Sequence, residues 1–177
     1  MKIPFHRPHL TQAEIDHVSE TIQSGWLTMG PKTIEFEEAF KSYIGTKYAV
    51  SVNSATAALH LALDALGITK GDEVILPTNT FIATAEAVIY LGAKPVLCDI
   101  EEENHNINTE MIEELITSKT KAIIAVHYGG HPCKMNKIWK LAKKYNLKVI
   151  EDSAHALPAE YNHKKIGSQS DAACFSF

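Results

Sequence analysis

Hydrophobic residues in the first 45 positions recur at helical spacing in two places. The first set follows a capping box, in which the side chains of Thr11 and Glu14 satisfy free N–H groups at a helix start; its apolar members are Ile15, Val18 and Ile22. The second set is Phe36, Phe40, Tyr43 and Ile44. A glycine follows each set, and glycine often ends a helix. We therefore predict two helices, and we expect residues 1–45 to form an N-terminal helical arm.

From Tyr48 onward, short apolar runs of strand type alternate with longer runs at helical spacing. The strand-type runs are YAVSV, EVILP, PVLCDI, KAIIAV, LKVIED and AACFSF, and the helical runs are TAALHLALDAL, FIATAEAVIYL, EMIEELI and KIWKLAKKY. Repeated βα units of this kind favour a mainly parallel sheet with helices on both faces. The strands lack clean polar alternation, which is typical of strands covered on both sides. We expect residues 46–177 to form a three-layer α/β domain.

Composition and charge narrow the class of protein. The chain has 177 residues, of which 45% are hydrophobic and 21% are charged, as in globular proteins. Its net charge is -4 and no stripe of Lys and Arg accompanies the aromatic residues, so we expect no nucleic-acid partner. The sequence shows no signal peptide and no membrane span, and we expect a cytoplasmic protein. Cys98, Cys133 and Cys174 have no C-x-x-C spacing, and we expect reduced packing residues.

Residues 25–33 resemble a phosphate-binding P-loop, but their context is wrong. Pro31 stands between the glycine and the lysine, and the segment follows a helix where a strand is required. We therefore predict a turn between two helices, in which Trp26 could still face a ligand. No G-x-G-x-x-G follows a strand either, and this argues against a dinucleotide-binding fold.

His127 and His131 have a spacing that would suit two metal ligands on one helix. Their neighbours predict a loop instead: Gly129, Gly130 and Pro132. We expect no metal site.

Chemically active residues follow three predicted strands, at the edge of the sheet where open α/β folds place their sites. LKVI leads into Glu151 and Asp152, with His155 three residues on. These residues are either a charged loop that caps a buried strand, or an acid and a histidine directed at a ligand.

The other two strands end beside helix starts. Ser54, after YAVSV, is a good N-cap, but free N–H groups at a helix start also bind anions, and the sequence supports both interpretations. Thr80 and Phe81 follow EVILP, where the ring of Phe81 is available to stack on a flat ligand. A flat, phosphorylated, nitrogen-containing ring would use all three places.

Six segments resemble, in order, the N-terminal half of the DegT/DnrJ/EryC1/StrS aminotransferases. They are GWLTMGPK, NSATAALHLAL, GDEVILPTNTFIATAEA, VHYGGHPC, EDSAHALPAEY and IGSQSDAACFSF, and together they span essentially the whole chain. The resemblance implies the large, cofactor-binding domain of a fold type I enzyme that uses pyridoxal 5'-phosphate (PLP). It also implies amination of a nucleotide-linked keto sugar, at a 4-keto position and with glutamate as amino donor, by a homodimer.

The resemblance further implies roles for six residues. Asp152 would pair with the pyridine nitrogen, because an ionised carboxylate keeps that nitrogen protonated and able to accept electrons. His155 would lie near the phenolic oxygen of the cofactor, and Phe81 would stack on its ring. The residues that would hold the phosphate are Ala55, Thr56 and Ser176.

The family's Schiff-base lysine has no counterpart in this sequence. It falls five residues after the serine that matches Ser176, and the sequence ends at Phe177. Lys164 and Lys165 lie in a predicted polar turn and do not match it. We therefore expect a truncated cofactor domain that is inactive alone, with AACFSF as an uncovered apolar strand at its end.

Two alternative functions remain open at the level of sequence. One is a non-catalytic remnant or regulatory fragment that binds a nucleotide sugar or a partner chain. The other is a PLP-dependent sugar dehydratase relative, in which histidine replaces the lysine.

Overall fold

The computed structural model describes residues 8–177, so residues 1–7 of the predicted arm lie outside the described residues. The helices are α1 (Gln12–Gln23), α2 (Pro31–Ile44), α3 (Ala55–Ala65), α4 (Ile82–Tyr90), α5 (Ile112–Leu115) and α6 (Met135–Tyr145). The strands are β1 (Glu73–Pro77), β2 (Lys94–Cys98), β3 (Thr120–Val126), β4 (Lys148–Asp152), β5 (Glu160–Tyr161), β6 (Lys164–Lys165) and β7 (Ala172–Cys174).

Five of the strands form one parallel sheet in the order β2-β1-β3-β4-β7. One apolar cluster joins one face of the sheet to α3 and α4, and a second joins the opposite face to α5 and α6. The predicted three-layer α/β fold with a mainly parallel sheet is therefore confirmed. Strand β1 is buried along its whole length, which explains its unbroken apolar sequence.

Both predicted N-terminal helices form. Thr11 caps α1 through the predicted capping box, and Gly45 ends α2 in a left-handed conformation. The turn between them is held by Trp26, whose indole N–H donates to the carbonyl of Met29. A side chain at Gly30 would collide with the Trp26 ring, so glycine is needed there. Pro31 is the first residue of α2, and the P-loop resemblance is accidental.

The predicted strand YAVSV is wrong. Residues 48–52 are extended but pair with no strand among the described residues. The backbone N–H of Ser51, which would join a strand ladder, donates instead to the Glu37 carboxylate on α2, as does the Ser51 hydroxyl. These two bonds hold the pKa of Glu37 below its usual value. Without a neighbouring strand, the apolar run is an extended segment beside α2.

The expectation of an uncovered C-terminal strand is corrected in part: β7 is an edge strand of the sheet, but the residues after it pack against α2. The strand stops at Cys174, and two phenylalanines beyond it turn towards α2. The rings of Phe175 and Phe177 lie 5.1 and 5.4 Å from that of Phe40. The chain end is therefore partly packed, although Phe177 itself stays 79% exposed.

The polar turn predicted around Lys164 and Lys165 is a small antiparallel hairpin of β5 and β6. The three cysteines are free and buried, as predicted for packing residues. Burial raises the pKa of Cys98 to about 11 and that of Cys133 to about 12, so these thiols stay protonated at neutral pH. Among residues 8–177, no helix has both the length and the apolar character needed to cross a membrane.

Candidate functional site at the carboxyl edge of the sheet

Glu151 and Asp152 are consecutive residues of β4 and face opposite layers of the protein. Both are almost fully buried, at 1% and 6% exposure, so the charged-loop interpretation is wrong. Glu151 follows Val149 on the α6 face, where its carboxylate lies 2.8 Å from Nε2 of the buried His127. Asp152 follows Ile150 on the α3 and α4 face. Only one of the two carboxylates is therefore left for a ligand on that face.

The Asp152 carboxylate is held in place by its neighbours. The hydroxyl of Thr84, which is fully buried on α4, donates to Oδ2 at 2.8 Å. The backbone N–H of Ala154 donates to Oδ1 at 3.3 Å. Burial, followed by the negative charge of Asp152, raises the pKa of the adjacent Cys174 thiol to about 12. A neutral thiol and a hydrogen-bonded carboxylate therefore lie side by side at the strand ends.

Phe81 occupies the N-cap position of α4 and is 75% exposed. The N–H of Thr84 donates to its carbonyl at 3.1 Å, which closes the first turn of the helix. Phe81 and Asp152 are thus linked through one residue, Thr84. The ring of Phe81 lies at the sheet edge with its faces available for stacking.

His155 lies in the turn after β4 and is exposed. Its Nδ1 accepts from the N–H of Gly129 at 3.4 Å, in the loop after β3. In the neutral imidazole the proton is therefore on Nε2, which can donate to an acceptor on a ligand. The same loop passes close to the His155 backbone, because a Cβ added at Gly130 would lie 2.9 Å from the His155 carbonyl oxygen.

The start of α3 offers a place for an anion. The Ser54 hydroxyl accepts from the N–H of Ala57 at 3.1 Å, which confirms it as the N-cap. The N–H groups of Ala55 and Thr56 have no acceptor within the described part of the chain. Ala55 and Ser176 line one cavity of about 540 Å³ between α2, α3 and the chain end. Both the capping and the anion-binding interpretations therefore fit this helix start.

The predicted residues form two groups. Phe81, Asp152 and His155 surround the ends of β4 and α4, whereas Ala55, Thr56 and Ser176 gather at the start of α3 and the end of β7. The cavity at the second group does not reach the first. The two groups are neighbours in the fold because β4 pairs with β7, and α3 packs against both α4 and β7.

Sequence reasoning missed two residues at this edge, Thr84 and His127. Thr84 is in an apolar helical run, where its hydroxyl gives no signal of a carboxylate partner. His127 was considered only as a metal ligand; it instead pairs with Glu151, and its Nδ1 accepts from the N–H of Cys133 at 3.1 Å. Among residues 8–177, no cluster of three His, Cys, Asp or Glu side chains is placed to hold a metal ion.

Comparison with known proteins identifies the class of this fold and site. The model of the DegT/DnrJ/EryC1/StrS aminotransferase family matches residues 8–177. The chain belongs to this family, and the predicted resemblance is confirmed.

Three relatives show how close the similarity is. The spore coat polysaccharide biosynthesis protein SpsC of Bacillus subtilis is 47% identical over 99% of this chain and 45% of its own. The solved aminotransferase of Psychrobacter cryohalolentis has 42% identity and a TM-score of 0.95, covering 98% of this chain and 45% of its own. The Streptococcus pneumoniae protein Spr1654, solved in its PLP-form, has 38% identity and a TM-score of 0.94. The match covers 100% of this chain and 49% of Spr1654.

The chain spans about 45% of the length of the curated relatives it matches. Its residues fit the cofactor seen in the PLP-form relative on chemical grounds. A buried carboxylate suits a ring nitrogen, an imidazole N–H suits a phenolic oxygen, and two free backbone N–H groups suit a phosphate. An exposed aromatic ring is available for the flat face.

Proposed function

We propose that these residues form the cofactor-holding part of a PLP-dependent aminotransferase. The substrate would be a nucleotide-linked keto sugar, aminated at a 4-keto position, with glutamate as donor. The observation that carries the proposal is Asp152, a buried carboxylate fixed by Thr84 at the carboxyl edge of the sheet. The membership of the family and the role of SpsC in spore coat polysaccharide biosynthesis support the sugar as substrate class.

PLP, when bound, supplies a ring that accepts the electrons left when a proton departs from the substrate. In this proposal Asp152 holds a proton at the ring nitrogen, because its ionised carboxylate stabilises the positive charge. His155 would donate from Nε2 to the phenolic oxygen and orient the ring. Phe81 would stack on the ring and keep water from it.

The phosphate would lie at the start of α3. There the N–H groups of Ala55 and Thr56 point out of the helix, where its dipole favours an anion. The hydroxyl of Ser176, in the cavity that Ala55 also lines, would add a further donor. Residues 46–177 would thus hold the cofactor, and the preceding helices would form the arm.

The lysine that would act as the base and move the proton would come from outside these 177 residues. Lys165, in β6, donates to the Glu160 carboxylate and lies 4.3 Å from the centre of the Tyr43 ring, so it is occupied elsewhere. Lys164 is in the same hairpin. The 177-residue chain should bind the cofactor but should not catalyse the amination. A turnover assay with glutamate, PLP and 4-keto sugar nucleotides tests this, and multiple turnover by the chain alone would contradict it.

Pyridoxamine 5'-phosphate (PMP) is the suitable probe of binding. It has the same ring and phosphate as PLP but carries an amine, so it cannot react with surface lysines as an aldehyde does. We expect the 177-residue chain to bind PMP and Asp152→Asn to bind it at least about tenfold more weakly, since a neutral amide cannot stabilise a protonated ring nitrogen. Titration of the PMP fluorescence measures both affinities.

The matched control is Asp64→Asn, because Asp64 is an exposed carboxylate in the last turn of α3 and does not line the cavity at the start of that helix. Its affinity for PMP should equal that of the unsubstituted chain. Equal affinities for Asp152→Asn and the unsubstituted chain would show that Asp152 is structural only, and that the ring nitrogen is not held here.

A further inference from the structure

Thr84 enters the proposed function only as a partner of Asp152, and its side chain makes the shorter of the two hydrogen bonds to that carboxylate. It is fully buried in the first turn of α4, and its hydroxyl lies between two oxygens. One is Oδ2 of Asp152 at 2.8 Å, and the other is the hydroxyl of Thr80 at 2.7 Å.

The direction of this chain of hydrogen bonds follows from the chemistry of its end. An ionised carboxylate can only accept, so the Thr84 hydroxyl must donate to Asp152. Its oxygen is then free to accept, and Thr80 donates to it. The bonds therefore run from Thr80 through Thr84 to Asp152. Each carboxylate oxygen keeps a lone pair, because among residues 8–177 Oδ2 accepts only from Thr84 and Oδ1 only from the N–H of Ala154, at 3.3 Å.

We propose that Thr84 is a positioning residue that orients the Asp152 carboxylate towards the ring nitrogen of the cofactor. This inference rests on the proposed function. The hydroxyl fixes the side-chain torsions of Asp152, which otherwise has one weak backbone bond on that face. It also ties the acid to the helix that begins after Phe81, so the stacking ring and the carboxylate keep a constant separation.

The test separates an effect on the ring nitrogen from an effect on the fold. Two ligands are compared on the 177-residue chain: PMP, and its 1-deaza analogue, in which a C–H replaces the ring nitrogen. Thr84→Val keeps the shape of the side chain and removes the hydroxyl, whereas Thr84→Ser keeps the hydroxyl. Thr109→Val is the matched control, because Thr109 is also buried but its hydroxyl has no partner within the described residues.

We expect the unsubstituted chain to prefer PMP over the 1-deaza analogue by about tenfold or more, as for a hydrogen bond to a charged group. Thr84→Val should reduce this preference to about threefold or less, with the affinity for the analogue unchanged. Thr84→Ser should restore the preference, and Thr109→Val should leave it intact. Thr80→Val, which removes the outer member of the chain, should reduce it in part, and this variant serves if Thr84→Val does not fold.

Equal weakening of both ligands by Thr84→Val would overturn the inference, since Thr84 would then support only the fold. An unchanged preference in Thr84→Val or, where that variant does not fold, in Thr80→Val would overturn it as well. In both cases the proposed function would stand. If the unsubstituted chain bound neither ligand, or bound both equally, the proposed function of Asp152 would fail and the inference with it.

Discussion

Phe81 occupies a position where a helix gains stability from a different kind of residue. The N-cap prefers Ser, Thr, Asp or Asn, whose side chains accept from the free N–H groups of the first turn. Phe81 makes no such bond and exposes most of its ring. Stability alone does not explain an exposed aromatic residue here, whereas the proposed stacking on a flat ligand would.

We expect Phe81→Ala to weaken PMP binding by roughly 1–3 kcal/mol, from lost ring contact and burial. Phe81→Ser should weaken it equally, but should raise the free energy of unfolding above that of Phe81→Ala by about 1 kcal/mol, because serine caps α4. Urea denaturation and PMP titration measure the two effects. Tyr90→Ala, which removes another exposed ring at the C-terminal end of α4 and away from the cavity, is the control. A large loss of stability with unchanged affinity would show that Phe81 is a packing residue.

The residues that could be predicted from sequence are those next to a strand end. Asp152, His155 and Phe81 lie at or just after the end of an apolar run. The run predicts a strand, and the strand end indicates where these side chains lie. Thr84 could not be found in this way, because its partner is 68 positions away and a threonine in an apolar helix is unremarkable on its own. Whether the six predicted residues hold a cofactor stays a prediction.

Among the elements, the turn after β3 depends on two consecutive glycines. Gly129 and Gly130 both have positive φ, at 59° and 82°. They differ in their surroundings: a Cβ at Gly129 would meet nothing within 4 Å, whereas one at Gly130 would lie 2.9 Å from the carbonyl oxygen of His155. An alanine at position 129 would therefore introduce backbone strain alone, whereas an alanine at position 130 would add a steric clash.

Gly129→Ala should lower the free energy of unfolding by about 1–2 kcal/mol, from the left-handed conformation alone. Gly130→Ala should lower it by at least about 1 kcal/mol more, because the backbone at His155 must move. It should also weaken PMP binding, which Gly129→Ala should leave unchanged. Chemical denaturation and PMP titration of both variants provide the comparison. Equal behaviour of the two would mean that the loop does not position His155.

The strands that have a neighbouring strand could be predicted from their apolar sequences. The run YAVSV shows why an apolar sequence alone is not enough to predict a strand. Its pattern is that of a strand, and β1 to β4 have the same pattern and do form. A strand, however, needs a neighbouring strand to pair with its backbone N–H and C=O groups. The sequence of an apolar run does not show whether such a neighbour is present. Among the described residues, that segment bonds through Ser51 to a glutamate on a helix instead.

For the molecule as a whole, α1 presents apolar residues that nothing in the described structure covers. Ile15, Val18 and Ile22 share one face of the helix and are 56–61% exposed, and α1 has no buried residue. An apolar face of this kind commonly marks an interaction surface. The homodimer implied by the family resemblance would cover it.

We therefore expect the purified chain to form dimers or larger assemblies in solution. Val18→Lys should shift the population towards monomer, because it places a charge in the middle of the apolar face. Glu20→Lys, a change on an exposed polar position of the same helix, is the control and should not. Light scattering after size-exclusion chromatography gives the mass. A monomeric unsubstituted chain at all concentrations tested would contradict this expectation.

The alternation of Glu151 and Asp152 has a consequence for laboratory evolution. Glu151 is tied to His127 within the interior, so a screen for soluble expression would retain it. Asp152 faces the proposed ligand side, where its partners are Thr84 and Ala154, so a cell-free screen without the cofactor places a weaker demand on it. Variants recovered from that screen should therefore drift at position 152 while position 151 stays fixed. Adding PMP to the screen should reverse the drift at position 152. Comparing the substitution frequencies at positions 151 and 152 would then show whether a population was selected for folding alone or also for cofactor binding.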